Sequence, residues 1–163
     1  MSKEKDNVIT VVIETPKGSR NKYAYDKELK AFRLKKLLPV GVMFPFDFGY
    51  IPNTKGEDGD PIDILVIMDE AAYPGCMVEC RLIGVLRAVQ SEEEDMVEND
   101  RLIAVSTLSQ IYQDVNELED LNKNVLRQIE SFFVYYNTLE DKKFKPKGWG
   151  NAKEACHLIK EAK

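Results

Sequence analysis

At 163 residues, with 44% hydrophobic and 31% charged residues, the chain is long enough to bury its own core and too apolar to stay disordered. A single domain over residues 1–163 is expected. The formal net charge of −5 argues against a nucleic acid or an anionic membrane surface as a general partner, and no stretch is apolar for long enough to span a bilayer. The N-terminus carries no apolar targeting segment, and three cysteines, an odd number, make no disulfide framework, so a reducing cytoplasm is the expected compartment.

Along the chain, Val8 to Ile13 is a β-branched run that predicts a strand. Shorter candidates follow at Lys22 to Tyr25, Ala31 to Leu34, Ile64 to Met68 and Leu102 to Val105, with a longer one from Cys76 to Val89. Prolines and glycines punctuate them at Pro16, Gly18, Pro39, Gly41, Pro45, Pro52, Pro74 and Gly75. Helical spacing enters late: Leu118, Leu121, Val125, Ile129, Phe132 and Tyr136 recur at steps of three and four. Asn151 followed by Glu154 is a capping pattern that opens a last helix, with Ala155, Ile159 and Ala162 on one side. Short strands first and two helices afterwards predict a small β-barrel with helices packed outside it.

The densest chemistry lies in "GEDGDPIDIL", residues 56–65, where Asp58, Asp60 and Asp63 precede an apolar run. Carboxylates this close repel one another unless a positive charge sits among them. In an extended segment Asp58 and Asp60 point the same way, and Pro61 stiffens the backbone so that Asp63 can return to the same cavity. Without Cys or His nearby, such a cluster suits a hard divalent ion such as Mg²⁺, Mn²⁺ or Ca²⁺. The spacing does not fit a helix–loop–helix calcium site, and the plain alternative is a solvated acidic turn. Basic and phenolic groups accompany the acids at Lys22, Tyr23, Lys35, Lys36, Tyr50, Arg101 and Tyr136. Metal, lysine and arginine together are the usual apparatus for a polyphosphate, although each cation taken singly reads as surface charge.

These residues resemble the family I soluble inorganic pyrophosphatases. The likeness is carried by "VVIETPKGSRNKYAYD", "MFPFDFGYIPNTKGEDGDPIDILV", "PGCMVECRLIGVL", "IESFFVYYNTLED" and "KGWGNAKEA", and so runs over nearly the whole chain. The resemblance implies an OB-like five-stranded barrel with two helices outside, a homo-oligomer, and Mg²⁺-dependent (Mn²⁺ also suitable) hydrolysis of pyrophosphate to two phosphates by direct attack of a metal-activated water. Mapped by motif, Asp58 and Asp63 would hold metal, with Asp63 touching a second ion. Asp60 would contact metal and take the proton of the attacking water. Glu14 would stand at the cavity edge, and Lys22, Lys36, Arg101 and Tyr136 would bind phosphate.

The chain departs from the family pattern at several positions. Ala24 stands where a glutamate is expected, Lys36 where an arginine is, Phe44 and Phe48 where tyrosines are, and Asn137 where a lysine is. Arg101 occupies a lysine position. In the metal loop, Asn99 replaces an aspartate and Glu94, or Asp95 after a slip of one residue, aligns with another; Asp100 should point to the opposite side of an extended segment. The aspartate motif is thus complete while its counterpart has lost negative and positive groups together. Alternatives to pyrophosphate hydrolysis are turnover of another phosphoanhydride, a weakened or inactive homologue that binds metal or phosphate as an assembly partner, and a single-strand nucleic-acid module, which the acidic balance disfavours.

Other signals carry less. Cys76 and Cys80 read as small buried hydrophobes, and His157, the single histidine, as structural or exposed. The aromatic run "MFPFDFGYI" reads as core, and Glu92 to Asp95 as either a solvated loop or a second acidic contribution to the site.

Overall fold

The computed structural model describes residues 7–163; residues 1–6, part of the N-terminus expected to carry no targeting segment, lie outside these. Nine strands and two α-helices follow one another: β1 (Val8–Thr15), β2 (Asn21–Asp26), β3 (Ala31–Leu37), β4 (Asp47–Tyr50), β5 (Asp63–Ile67), β6 (Met77–Glu92), β7 (Asp95–Glu98), β8 (Arg101–Ser106), α1 (Lys123–Thr138), β9 (Phe144–Asn151) and α2 (Ala152–Ala162). Strands β1, β4, β5, β8 and β6 form a ring that closes when β6 pairs back onto β1, as the barrel expectation required. Among the described residues only the β5–β8 pairing is parallel. Ile64 to Ile67 and Leu102 to Val105 are completely buried, as befits strands covered on both faces.

Alternate residues of β5 and β8 feed two cores. Leu65, Ile67, Ile103 and Val105 join Phe44, Phe48 and the α1 residues Ile129, Phe133 and Tyr136. Ile64, Val66, Leu102 and Ala104 join Val11, Ile13 and the α2 residues Ala155 and Ile159. No helix among the described residues is long and apolar enough to cross a membrane.

Three strands go beyond the sequence expectation. β4 has only four residues, one of them Gly49, where an added Cβ would lie 2.1 Å from the Val12 carbonyl oxygen. Close backbone approach selects the glycine there, at the cost of a strand signal. β7 is the return of a hairpin, and β9 carries Pro146, Gly148 and Gly150. The first helix also starts later than the apolar spacing predicts. Leu118 to Asp120 forms a 3₁₀ turn in which Glu117 and Asp120 cap each other's backbone, and α1 begins only after Asn122 accepts the Asn124 N–H at 2.8 Å. For α2 the expected cap is present: Asn151 accepts the Glu154 N–H at 2.9 Å.

Strands β2 and β3 form a separate two-stranded sheet. It is tied to the barrel where the Tyr23 N–H donates to the Thr15 hydroxyl at 3.1 Å and that hydroxyl donates to the Tyr23 carbonyl at 3.3 Å. This places the β2–β3 lysines beside the barrel mouth.

Candidate active site

Asp63 opens β5, and the residues around it define the site. On the loop before it, Asp58 and Asp60 do not share one side of an extended chain. Gly59, at φ +86°, turns the backbone, and the Asp58 carboxylate accepts the Asp60 N–H at 3.0 Å, leaving the Asp60 side chain exposed. Burial raises the Asp58 carboxyl above its ordinary range, and the charges of Asp63 and Asp60 add to the rise against the Asp60 N–H and Arg101. On β1, Glu14 accepts the Tyr25 N–H at 3.1 Å; burial pushes its carboxyl up, with Asp63 adding to the rise and Lys22 opposing it.

The cations lie on the β2–β3 sheet, where Lys22 and Lys36 are direct cross-strand partners. Both stand over the Tyr136 ring, Lys22 at 5.1 Å and Lys36 at 5.5 Å, and Lys22 is also 5.7 Å from the Phe48 centroid. Phe44 packs 5.8 Å from Tyr136, so the phenylalanines at the two expected tyrosine positions form the floor beneath the lysines. Burial lowers Lys22 to about 8, helped by Lys35 and Lys36 and opposed by Asp63. Lys36 pairs with Glu140 just beyond α1, a residue the sequence motifs did not single out. Burial pushes the Glu140 carboxyl up, but Lys36, the Tyr136 hydroxyl and Lys22 together outweigh it and hold the group low. The Tyr136 hydroxyl is buried without a well-formed hydrogen bond; burial and the nearby Glu140 charge hold its pKa well above the usual phenol, so it stays protonated.

The other side of Asp63 is built by Arg101, which is 5% exposed. Its Nη1 reaches Asp63 Oδ2 at 3.1 Å and also donates to the Asn99 side-chain and backbone oxygens. Its Nη2 donates to Gln90 Oε1 at 3.2 Å, and the Asn99 amide donates to the same oxygen at 3.0 Å. The guanidinium lies 5.2 Å and 5.5 Å from the Phe133 and Phe144 ring centroids. Arg101 is therefore enclosed at the site, beside Asp63, rather than extended toward solvent.

Glu94 is not brought to the others. It sits in the exposed turn between β6 and β7, because the hairpin pairing Glu92 with Asp95 carries it outward. The side chain that meets Asn99 is Gln90, four residues earlier and 6% exposed. Asp100 accepts the Ala88 N–H at 3.0 Å and faces Arg87 at 3.8 Å. Asn137 turns into the core and donates to the Phe133 carbonyl at 2.8 Å, and Ala24 offers no polar group. Cys80 is buried, Cys76 is exposed, and His157 is an exposed partner of Glu161 at 3.0 Å.

The donor set decides where a hard divalent ion fits. Asp58, Asp60 and Asp63 offer carboxylate oxygens close together in the chain, and the Asp63 charge is near enough to raise the Asp58 carboxyl. Among the described residues, however, no three such side chains are already gathered as a ligand set. The Gln90–Asn99 side offers neutral amides with a cation between them, which does not suit such an ion.

Comparisons with known proteins give the family and the fold. The inorganic pyrophosphatase family model matches residues 11–163. An inorganic pyrophosphatase of Halalkalibacterium halodurans is 42% identical over 94% of this chain and 92% of its own, and one of Synechocystis is 37% identical over 96% and 90%. The crystal structure of the Thermus thermophilus inorganic pyrophosphatase superposes with a TM-score of 0.89 at 34% identity, covering 96% of this chain and 89% of that one. With a family model over most of its length, relatives of this similarity and a shared fold, the chain belongs to the inorganic pyrophosphatase family.

Proposed function

We propose that this protein hydrolyses inorganic pyrophosphate to two phosphates with Mg²⁺ as cofactor, Mn²⁺ being the natural substitute. The observation that carries the reading is the cross-strand pair Lys22 and Lys36, stacked on Tyr136, with Lys22 within reach of the Asp63 charge. Like charges placed directly opposite each other are destabilising, and a polyphosphate between them removes the repulsion.

Asp58, Asp60 and Asp63 would hold the ion, whose chemistry is to neutralise phosphate oxygens and acidify water in the site. Asp60, exposed and held by the Asp58 turn, accepts the proton as a water oxygen attacks phosphorus and the bridging P–O bond breaks. Lys22 and Lys36 bind the oxygens on which charge accumulates, and the protonated Tyr136 hydroxyl donates to one of them. Glu14 fixes β2 through the Tyr25 N–H and so places Lys22. A homo-oligomer suits the exposed apolar side chains Tyr73, Met77, Leu108 and Ile111, and a cytoplasmic setting suits the free thiols of Cys76 and Cys80.

A second reading, a metal- or phosphate-binding homologue without turnover, is favoured by the amides at Gln90 and Asn99. Phosphate release from pyrophosphate with Mg²⁺ decides between them. The natural protein should exceed Asp60→Asn by about 100-fold or more. Equal background rates for the two would reject hydrolysis.

A further inference from the structure

Arg101 is an arginine buried among two phenyl rings with one carboxylate and two neutral amides around it. Burying a cation is costly unless its donors are satisfied, and here both outer guanidinium nitrogens have acceptors while the buried Nε has none. Gln90 and Asn99 each turn an oxygen toward it, and the Asn99 amide locks Gln90 in that pose. A lysine would keep the charge but not the planar fork that spans these acceptors or the flat face that lies on the rings. The enclosure also leaves the charged head little room to meet a phosphate.

We propose that Arg101 is a built-in cation: its guanidinium holds the β8 side of Asp63 in place of a divalent ion, so that this chain works with a smaller complement of bound metal. The replacement of a carboxylate by Asn99, with the neutral Gln90 beside it, then follows, since acids on this wall would attract an ion and compete with Asp63 for the guanidinium. The inference rests on the reading of Asp58 and Asp63 as metal ligands, and its test is separate from hydrolysis.

Mn²⁺ binding without pyrophosphate is measured by the electron spin resonance of the free ion, for the natural protein, Arg101→Gln and Arg101→Lys. Freeing Asp63 in Arg101→Gln should tighten Mn²⁺ binding about 10-fold or add a bound ion, while Arg101→Lys, which keeps the charge, stays within about 3-fold of the natural protein. A folded Arg101→Gln that binds Mn²⁺ no better than the natural protein overturns the proposal, as does an absence of binding in all three. If Arg101→Gln does not fold, the Arg101 Nε–H resonance of the natural protein is followed through a Mg²⁺ titration. A resonance that stays in place supports the proposal, and one displaced by Mg²⁺ overturns it. Loss of phosphate release alone, with the Mn²⁺ difference intact, would reject only the hydrolytic reading.

Discussion

The two walls that meet at Asp63 solve the same electrostatic problem by opposite means. The loop wall carries Asp58 and Asp60 on a glycine turn, partly open to water and short of positive charge. The sheet wall carries Gln90, Asn99 and Arg101, closed by Phe133 and Phe144 and already neutralised. A carboxylate wall must recruit its cation from solution and so responds to metal concentration and pH. A wall with a covalently attached cation responds to neither, and its charge is fixed in place.

Asp63 belongs to both walls, so removing it should have the largest effect. Asp63→Asn leaves Arg101 buried without a carboxylate, a loss of about 3 kcal/mol or more. Calorimetry should show a melting temperature lower by roughly 10 °C, and phosphate release should fall at least about 100-fold. A melting temperature within experimental error of the natural protein would break the claim that the walls share this residue. Next comes making the walls alike. Gln90→Asp combined with Asn99→Asp should raise Mg²⁺ affinity about 10-fold or more, read by titration calorimetry, and unchanged affinity would mean that the amides are not what limits metal on that side.

The smallest effect concerns the lysines that face both walls. Lys22 loses its proton near pH 8 in the folded protein, so its charge is present below that pH and lost above it. The KM for pyrophosphate should therefore rise a few-fold between about pH 7.5 and 9, and Lys22→Arg, which stays charged, should flatten the rise. A rise that persists in Lys22→Arg would assign it to another group.

The loop wall was legible in the sequence and the sheet wall was not, for a physical reason. Asp58, Asp60 and Asp63 are near neighbours in the chain, so a local motif displays them together; only the turn at Gly59 changed their expected orientation. Gln90 and Asn99 meet because β6 folds back as β7, and counting along the chain pointed instead to Glu94 at the exposed tip. Residues beyond a hairpin turn are brought together by pairing register, which linear spacing does not encode. Glu140 was missed likewise, since its partner Lys36 lies 104 residues earlier. In the fold, long β-branched strands were visible, while β4 and β9 were hidden by the glycines and the proline that their close packing and bends require.

Strand β6 is hydrogen-bonded along its length to β1, β7, β8 and β9, whereas β2 and β3 pair only with each other. Amide hydrogens in the middle of β6 are thus shielded until the whole barrel opens, while those of the lysine hairpin can exchange through a local excursion that leaves the barrel intact. The hairpin that carries the lysines proposed to bind phosphate is thereby free to loosen on a timescale of its own, tied at Thr15 at one end and by the Lys36–Glu140 pair at the other.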